Sequence, residues 1–215
     1  MAAQSPGDKR LLVFGTGNRH KAVELASLLV RLNVEVRSLA DFGDPLPVDE
    51  IGTTFAENAA LKATRQAAHL KQWVLADDSG LCVDALGGAP GIHSARYAGL
   101  AATDAMNRQR LLDEMRGIAA ERRDAHFVCS LALADPTGAL RATADGRCHG
   151  RIRADAAGSG GFGYDPLFEI REYHRTFGEL SAAAKDCLSH RARAIAAMIP
   201  AIETLLLSGQ WGARG

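Results

Sequence analysis

An excess of one charge is what this chain most plainly lacks. Lys plus Arg number 25 and Asp plus Glu number 25, so the formal net charge is zero. A neutral chain exerts no general pull on nucleic acid or on anionic membranes, and any phosphate it binds must be gripped locally. Cysteine is sparse. Cys82, Cys129, Cys148 and Cys187 stand far apart with no C-x-x-C among them, which argues against a zinc site or a disulfide framework and for free, buried or partly buried thiols in a reducing compartment. No apolar run approaches the roughly 20 residues that span a bilayer. The polar segment Met1 to Arg10 has no apolar stretch of the signal-peptide kind, so a cytoplasmic location with no membrane partner is expected. Several chemical signatures are missing too. There is no G-x-S-x-G elbow, no P-loop, and no third glycine after Gly15-Thr16-Gly17, where His20 stands instead. A covalent serine enzyme, a P-loop NTPase and a dinucleotide oxidoreductase are all disfavoured.

What is present is an ordinary globular composition over 215 residues, 47% hydrophobic and 23% charged, enough for one large domain or two lobes around a shared core. Residues 1–10 read as a loose tail and 11–210 as the folded unit. Leu11 to Phe14 reads as a short buried strand, and Ala22, Leu25, Ala26 and Leu29 follow at helical spacing. Val34 to Val36 is a second strand. Thr54-Phe55-Ala56-Glu57 has capping-box spacing and opens a helix through about His69. Thr103 caps another helix. Phe127, Cys129, Leu131 and Leu133 alternate along a strand that turns at Asp135 to Gly138 into a hairpin partner at 139–150. A last helix runs from about Ser189 to Leu207. Strands alternating with helices around a central hairpin predict an α/β protein with a mixed sheet.

The residues able to carry chemistry fall in four places. Val74-Leu75-Ala76 is a buried strand predicted to end in Asp77-Asp78-Ser79-Gly80, where adjacent carboxylates imply a cation, and Mg²⁺ favours one or two carboxylates plus substrate phosphates. Thr16-Gly17-Asn18-Arg19-His20-Lys21 lies between strand and helix, where helix N–H groups and a lysine suit polyphosphate. Gly158 to Pro166 is glycine-dense and holds Phe162, Gly163, Tyr164 and Asp165, residues that could stack on a base and accept from a ring N–H. Lys185, His190 and Arg191 gather near the start of the last helix. The acidic loop Asp49-Glu50 could add a carboxylate to the Asp pair. With no nucleophile in view, attack by water is favoured over a covalent intermediate.

These segments resemble, in order, the inosine triphosphate pyrophosphatase family, also called Ham1-like or dITP/XTP pyrophosphatases. The matching stretches are Thr16-Gly17-Asn18 with Lys21, Thr54-Phe55-x-Glu57-Asn58-Ala59 with Lys62, and Ala76-Asp77-Asp78-Ser79-Gly80-Leu81. They continue with Leu86-Gly87-Gly88-Ala89-Pro90-Gly91, Gly161-Phe162-Gly163-Tyr164-Asp165-Pro166 and Ser189-His190-Arg191. The resemblance implies an elongated α/β fold with a long mixed sheet flanked by helices and a cleft between two lobes. It further implies a cytoplasmic homodimer, and Mg²⁺-dependent hydrolysis of ITP, dITP and XTP to monophosphate and pyrophosphate. By the same resemblance Thr16 to Lys21 hold the triphosphate, Asp78 is a metal ligand and the base, and Asp49 is the second metal ligand. Ser79 touches the substrate, and Phe162 to Asp165, Lys185, His190 and Arg191 surround the base and sugar. Relatives often carry Glu in the place of Asp49, so Glu50 is the competing candidate for that role.

Overall fold

The structure is a computed structural model that describes residues 9–42 and 45–211. Most of the predicted tail therefore lies outside the described residues. Strand β1 (Arg10–Phe14) leads into helix α1 (Arg19–Leu28) and strand β2 (Val34–Ser38). Helix α2 (Phe55–Leu70) precedes β3 (Val74–Val83), and α3 (Asp104–Glu114) precedes the long hairpin β4 (Asp124–Ala134) and β5 (Leu140–Ile152). Short strands β6 (Phe168–Ile170) and β7 (Arg175–Thr176) follow, then α4 (Ala182–Leu188) and α5 (His190–Leu207). The strands form one sheet of 7 in the order β2-β1-β3-β4-β5-β6-β7. β1 pairs in parallel with β2 and β3, and the remaining pairings are antiparallel. The expected mixed α/β sheet is present. One thiol departs from expectation: Cys187 is exposed, while Cys129 and Cys148 are buried.

Local sequence explains the elements that carry the site. The capping box forms as written: Thr54 Oγ1 accepts from Glu57 N at 3.1 Å, and Glu57 Oε2 accepts from Thr54 N at 3.2 Å. Asn18 caps α1, its Oδ1 accepting from the His20 and Lys21 amides. Ala59, Ala63 and Ala67 recur every fourth residue on α2 and bury fully, so this helix lies close against Val74, Ala76, Ala132 and Ala134 of the sheet. On the opposite face, α1 and α5 cover Leu75, Cys129, Leu131 and Leu133 with Leu25, Ile195, Met198 and Ile202. A separate cluster fills the other end of the sheet with Leu81, Phe127, Phe168, Phe177, Leu111 and Met115. Gly146 on β5 permits the close approach of α5, because a Cβ there would run into the backbone of His190 and Ala194.

One prediction is corrected. β3 does not end at its acids. It runs from Val74 through Asp77-Asp78-Ser79-Gly80 to Val83, paired along its length with β4. The carboxylates are therefore interior to a central strand, and side chains there alternate between faces. Leu75, Asp77 and Ser79 face α1 and α5, while Val74, Ala76 and Asp78 face α2. The adjacent acids enter different chemical surroundings.

Candidate active site

The face toward α2 carries a cavity of about 330 Å³ lined by Gly15 to Asn18, Lys21, Glu50, Lys62, Gln66, Asp78, Ser79 and Arg96. The N-terminus of α1 opens into it, which suits an anion. Asp78 is 6% exposed, and its oxygens accept from Lys62 Nζ at 2.9 Å and Asn58 Nδ2 at 3.3 Å. Lys62 also reaches Glu50 Oε1 at 3.3 Å. Burial pushes the Asp78 carboxyl above its ordinary value, and the Lys62 ammonium offsets only part of that. Burial works against the charge of Lys62, but Asp78, Asp77 and Glu50 outweigh it and hold the amine protonated.

The other face is balanced. Asp77 Oδ2 meets Lys21 Nζ at 2.8 Å and Ser79 Oγ at 2.9 Å, with Arg191 Nη2 at 3.7 Å. Burial alone would raise Asp77, yet Lys21, Arg191 and Lys62 hold its carboxyl far below the usual range. Glu24 pairs with both Arg191 and Lys185, and Lys185 Nζ lies 2.6 Å from Asp165 Oδ2. Asp77, Glu24 and Asp165 thus meet Lys21, Arg191 and Lys185, whereas Asp78 and Glu50 share Lys62. On the α2 side two carboxylates share one ammonium, and Arg96 lines the same cavity.

A second cavity of about 120 Å³ adjoins the first and is lined by Phe127, Phe162, Tyr164, Lys185, His190 and Arg191 among others. Asn18, Lys21, Ser79 and Ala95 line both. Lys185 Nζ sits 4.6 Å from the centre of the Phe162 ring. Tyr164 is pinned, its hydroxyl donating to Ser94 O at 2.9 Å. His190 is buried with its ring stacked 4.7 Å from that of Phe127, and its Nδ1 has no partner among the described residues. Burial, with Arg191, Lys185 and Lys21 nearby, drives His190 well below its ordinary value, so it is neutral. A neutral buried histidine makes acidification destabilising, since below about 6.5 the unfolded chain takes up a proton that the folded chain refuses. Thermal melts from pH 7 to pH 5 should therefore show a falling midpoint, and His190→Gln should remove part of that fall. An identical pH slope in the variant would count against it.

Most of the sequence-predicted residues converge on these cavities. Two do not. Asp49 is exposed and absent from the cavity wall, while its neighbour Glu50 lines it and pairs with Lys62. His20 lays its ring on Phe162 at 5.4 Å rather than entering the cavity at the α1 N-terminus. The side chain of Arg19 lies outside the described residues. Sequence reasoning matched Asn58 and Lys62 of α2 to the family but gave them no role in the site, and it did not name Gln66. Asn58, Lys62 and Gln66 recur every fourth residue beside the alanine stripe, and that polar stripe on a half-buried helix was a readable signal. Gln66 grips Leu46 by both backbone groups, donating to its carbonyl at 2.5 Å and accepting from its amide at 3.2 Å, which fixes the loop that carries Glu50.

This geometry has close counterparts. Residues 12–201 match the model of the Ham1 family. The chain belongs to that family. A dITP/XTP pyrophosphatase from Rhodopirellula baltica is 50% identical over 202 residues, covering 94% of this chain and 97% of that relative. Another from Geobacillus kaustophilus is 50% identical over 184 residues, covering 86% and 90%. Among solved structures, a HAM1 protein from Coxiella burnetii superposes with a TM-score of 0.80 at 35% identity, covering 93% of this chain and 99% of that one. The dITP/XTP pyrophosphatase of Mycobacterium abscessus gives 0.71 at 42% identity, covering 88% and 99%. The Ham1 fold therefore extends over nearly the whole described chain, including every strand that lines the cavities. Among the described residues no helix is long and apolar enough to cross a membrane.

Proposed function

We propose that this Ham1-family chain is a nucleoside-triphosphate pyrophosphatase that converts ITP, dITP and XTP to monophosphate and pyrophosphate. It would thereby remove deaminated purine nucleotides before they enter DNA and RNA. The observation that carries the reading is the joining of the cavities. Because Asn18, Lys21 and Ser79 line both, a base held against Phe162 leads its phosphates directly to the α1 N-terminus, Lys62 and Asp78.

A divalent cation such as Mg²⁺ fits the donor set. Asp78 and Glu50 converge on the same ammonium, at 2.9 and 3.3 Å. No group of three or more His, Cys, Asp or Glu able to hold a metal occurs among the described residues. The two carboxylates, Asp78 and Glu50, suit an ion which keeps waters and substrate oxygens in its shell. Asp78 and Glu50 would hold it, with Glu50 in the place expected of Asp49. When bound, the ion supplies charge neutralisation on the phosphates and a more electrophilic phosphorus. The protein's own groups do the rest. The α1 amides, Lys21 and Lys62 hold the triphosphate, and Asp78 orients or deprotonates the water that attacks the α-phosphorus as pyrophosphate leaves. On the base side, Arg191, Lys185 and His190 Nδ1 offer polar contacts at the six-position. There hypoxanthine and xanthine present a carbonyl and adenine an amino group. We read residues 11–210 as one catalytic unit, acting as a cytoplasmic homodimer.

The test is pyrophosphate release with Mg²⁺ from ITP, XTP, GTP and ATP. Turnover of ITP and XTP well above ATP and GTP is the expected result. Equal rates on ITP and ATP would sink the account of base selection, and tight ITP binding without turnover would make the chain a nucleotide sensor.

A further inference from the structure

Phe162, which lines the base-side cavity, is carried on a glycine-flanked segment. Phe162 stands between Gly161 and Gly163, whose φ angles are +71° and +59°. That left-handed backbone is easily reached by glycine. The first turn of α3, a helix outside the sequence-predicted site, takes hold of it. Asp104 Oδ2 accepts from the Gly163 amide at 2.7 Å, and Arg108 Nη1 donates to the Gly163 carbonyl at 2.7 Å. One turn of helix separates Asp104 from Arg108, so they stand on one face and grip both polar groups of a single residue. α3 can serve as an anchor because its other end is fixed: Leu111 and Met115 are fully buried in the far core. From inside the loop, Asp165 Oδ2 also accepts from the Phe162 amide at 2.9 Å. The loop carrying Phe162 is therefore held on one side by its own aspartate and on the other by α3.

We infer that Asp104 and Arg108 are positioning residues for purine recognition, setting the height of Phe162 over the base-side cavity by clasping Gly163. The inference rests on the proposed function for its substrate, and on the Gly163 contacts for its geometry. The clasp acts on the base and not on the phosphates, since neither Arg108 nor Gly163 lines the phosphate-side cavity. Loss of the clasp should therefore weaken nucleotide binding without weakening the grip on a bare polyphosphate chain.

The experiment uses the full chain with Asp104→Ala, Arg108→Ala and the double variant, with Asp104→Asn as the conservative control that retains an acceptor oxygen. Amide exchange over 160–165 should speed up in the alanine variants while the rest of the chain keeps its protection. KM for XTP should rise about ten-fold with kcat little changed, and inhibition by inorganic tripolyphosphate should stay as it was. The double variant should be no worse than the weaker single one, because both bonds act through the same residue, and Asp104→Asn should recover most of the loss. Unchanged exchange over 160–165, or faster exchange with KM unmoved, overturns the inference. So does a KM that rises together with the tripolyphosphate inhibition constant. If the unaltered chain turns over no nucleotide, the proposed function fails on that result alone, and exchange at 160–165 still decides whether the loop hangs on α3.

Discussion

Asp78→Asn should cut the turnover of XTP by about 10²–10⁴-fold, the range typical of a lost acid–base group, and leave the folded state as stable as before. Both halves follow from the surroundings of the carboxylate. It is the acid on the α2 face, it lines the phosphate-side cavity, and it converges with Glu50 on Lys62. Asparagine keeps the shape and an oxygen for Lys62, but cannot take a proton from water or neutralise a cation. Stability is spared because burial already disfavours the charge, holding the carboxyl above its ordinary value despite Lys62. Lys62 in turn retains Glu50 as a partner. Initial-rate measurement of pyrophosphate release, set beside thermal melts of both proteins, separates the effects. Full activity in a folded variant would remove Asp78 from the mechanism.

The neighbouring substitution should do the reverse to the fold. Asp77→Asn is expected to cost about 3–5 kcal/mol, the usual penalty for removing one partner of a buried ion pair. Arg191 is 1% exposed, and the side chain of Lys21 is 16% exposed. Without Asp77 both keep their charge in a poorly solvated place, with Glu24 left to answer Arg191 alone. The pH dependence has a definite sign. The folded carboxyl lies far below its usual value because Lys21, Arg191 and Lys62 overcome its burial. Its contribution is therefore complete above the unfolded value of about 3.9, and is lost as pH falls through the lower folded value. Urea midpoints should differ widely between wild type and variant at pH 7, and the gap should narrow in strong acid. Matching midpoints at pH 7 would show that Asp77 holds nothing together.

The fold was largely legible from local patterns. The capping box at Thr54, the turn at Asp135 to Gly138 and the alternation over 126–134 each give their element a local cause, and each stands in the structure. What local pattern could not supply was the fate of a charge. Acids are ordinarily expected where a strand meets solvent. The extension of β3 past Asp77 and Asp78 depends on cations delivered from α2, 16 residues away at Lys62, from α1, 56 residues away at Lys21, and from Arg191 of α5, farther still along the chain. The same limit explains Asp49. Adjacent acids in a loop are equivalent in sequence, and the grip of Gln66 on Leu46 helps select which of them faces Lys62. Gly163 illustrates a third kind of blindness. Its partners Asp104 and Arg108 look like ordinary first-turn charges on a surface helix, and nothing in their spacing names a loop some 59 residues onward.

The central strand places its acids on opposite sides of the sheet, and this makes chain length there more critical than residue type. A single residue inserted ahead of Asp77 without compensation would send each carboxylate through to the other side. The would-be catalytic acid would then face Lys21 and Arg191, while the structural one would enter the phosphate cavity. Every side chain needed for hydrolysis would remain in the protein, yet the two oxyanions would have traded jobs. Within 74–80 the molecule keeps its chemistry by counting.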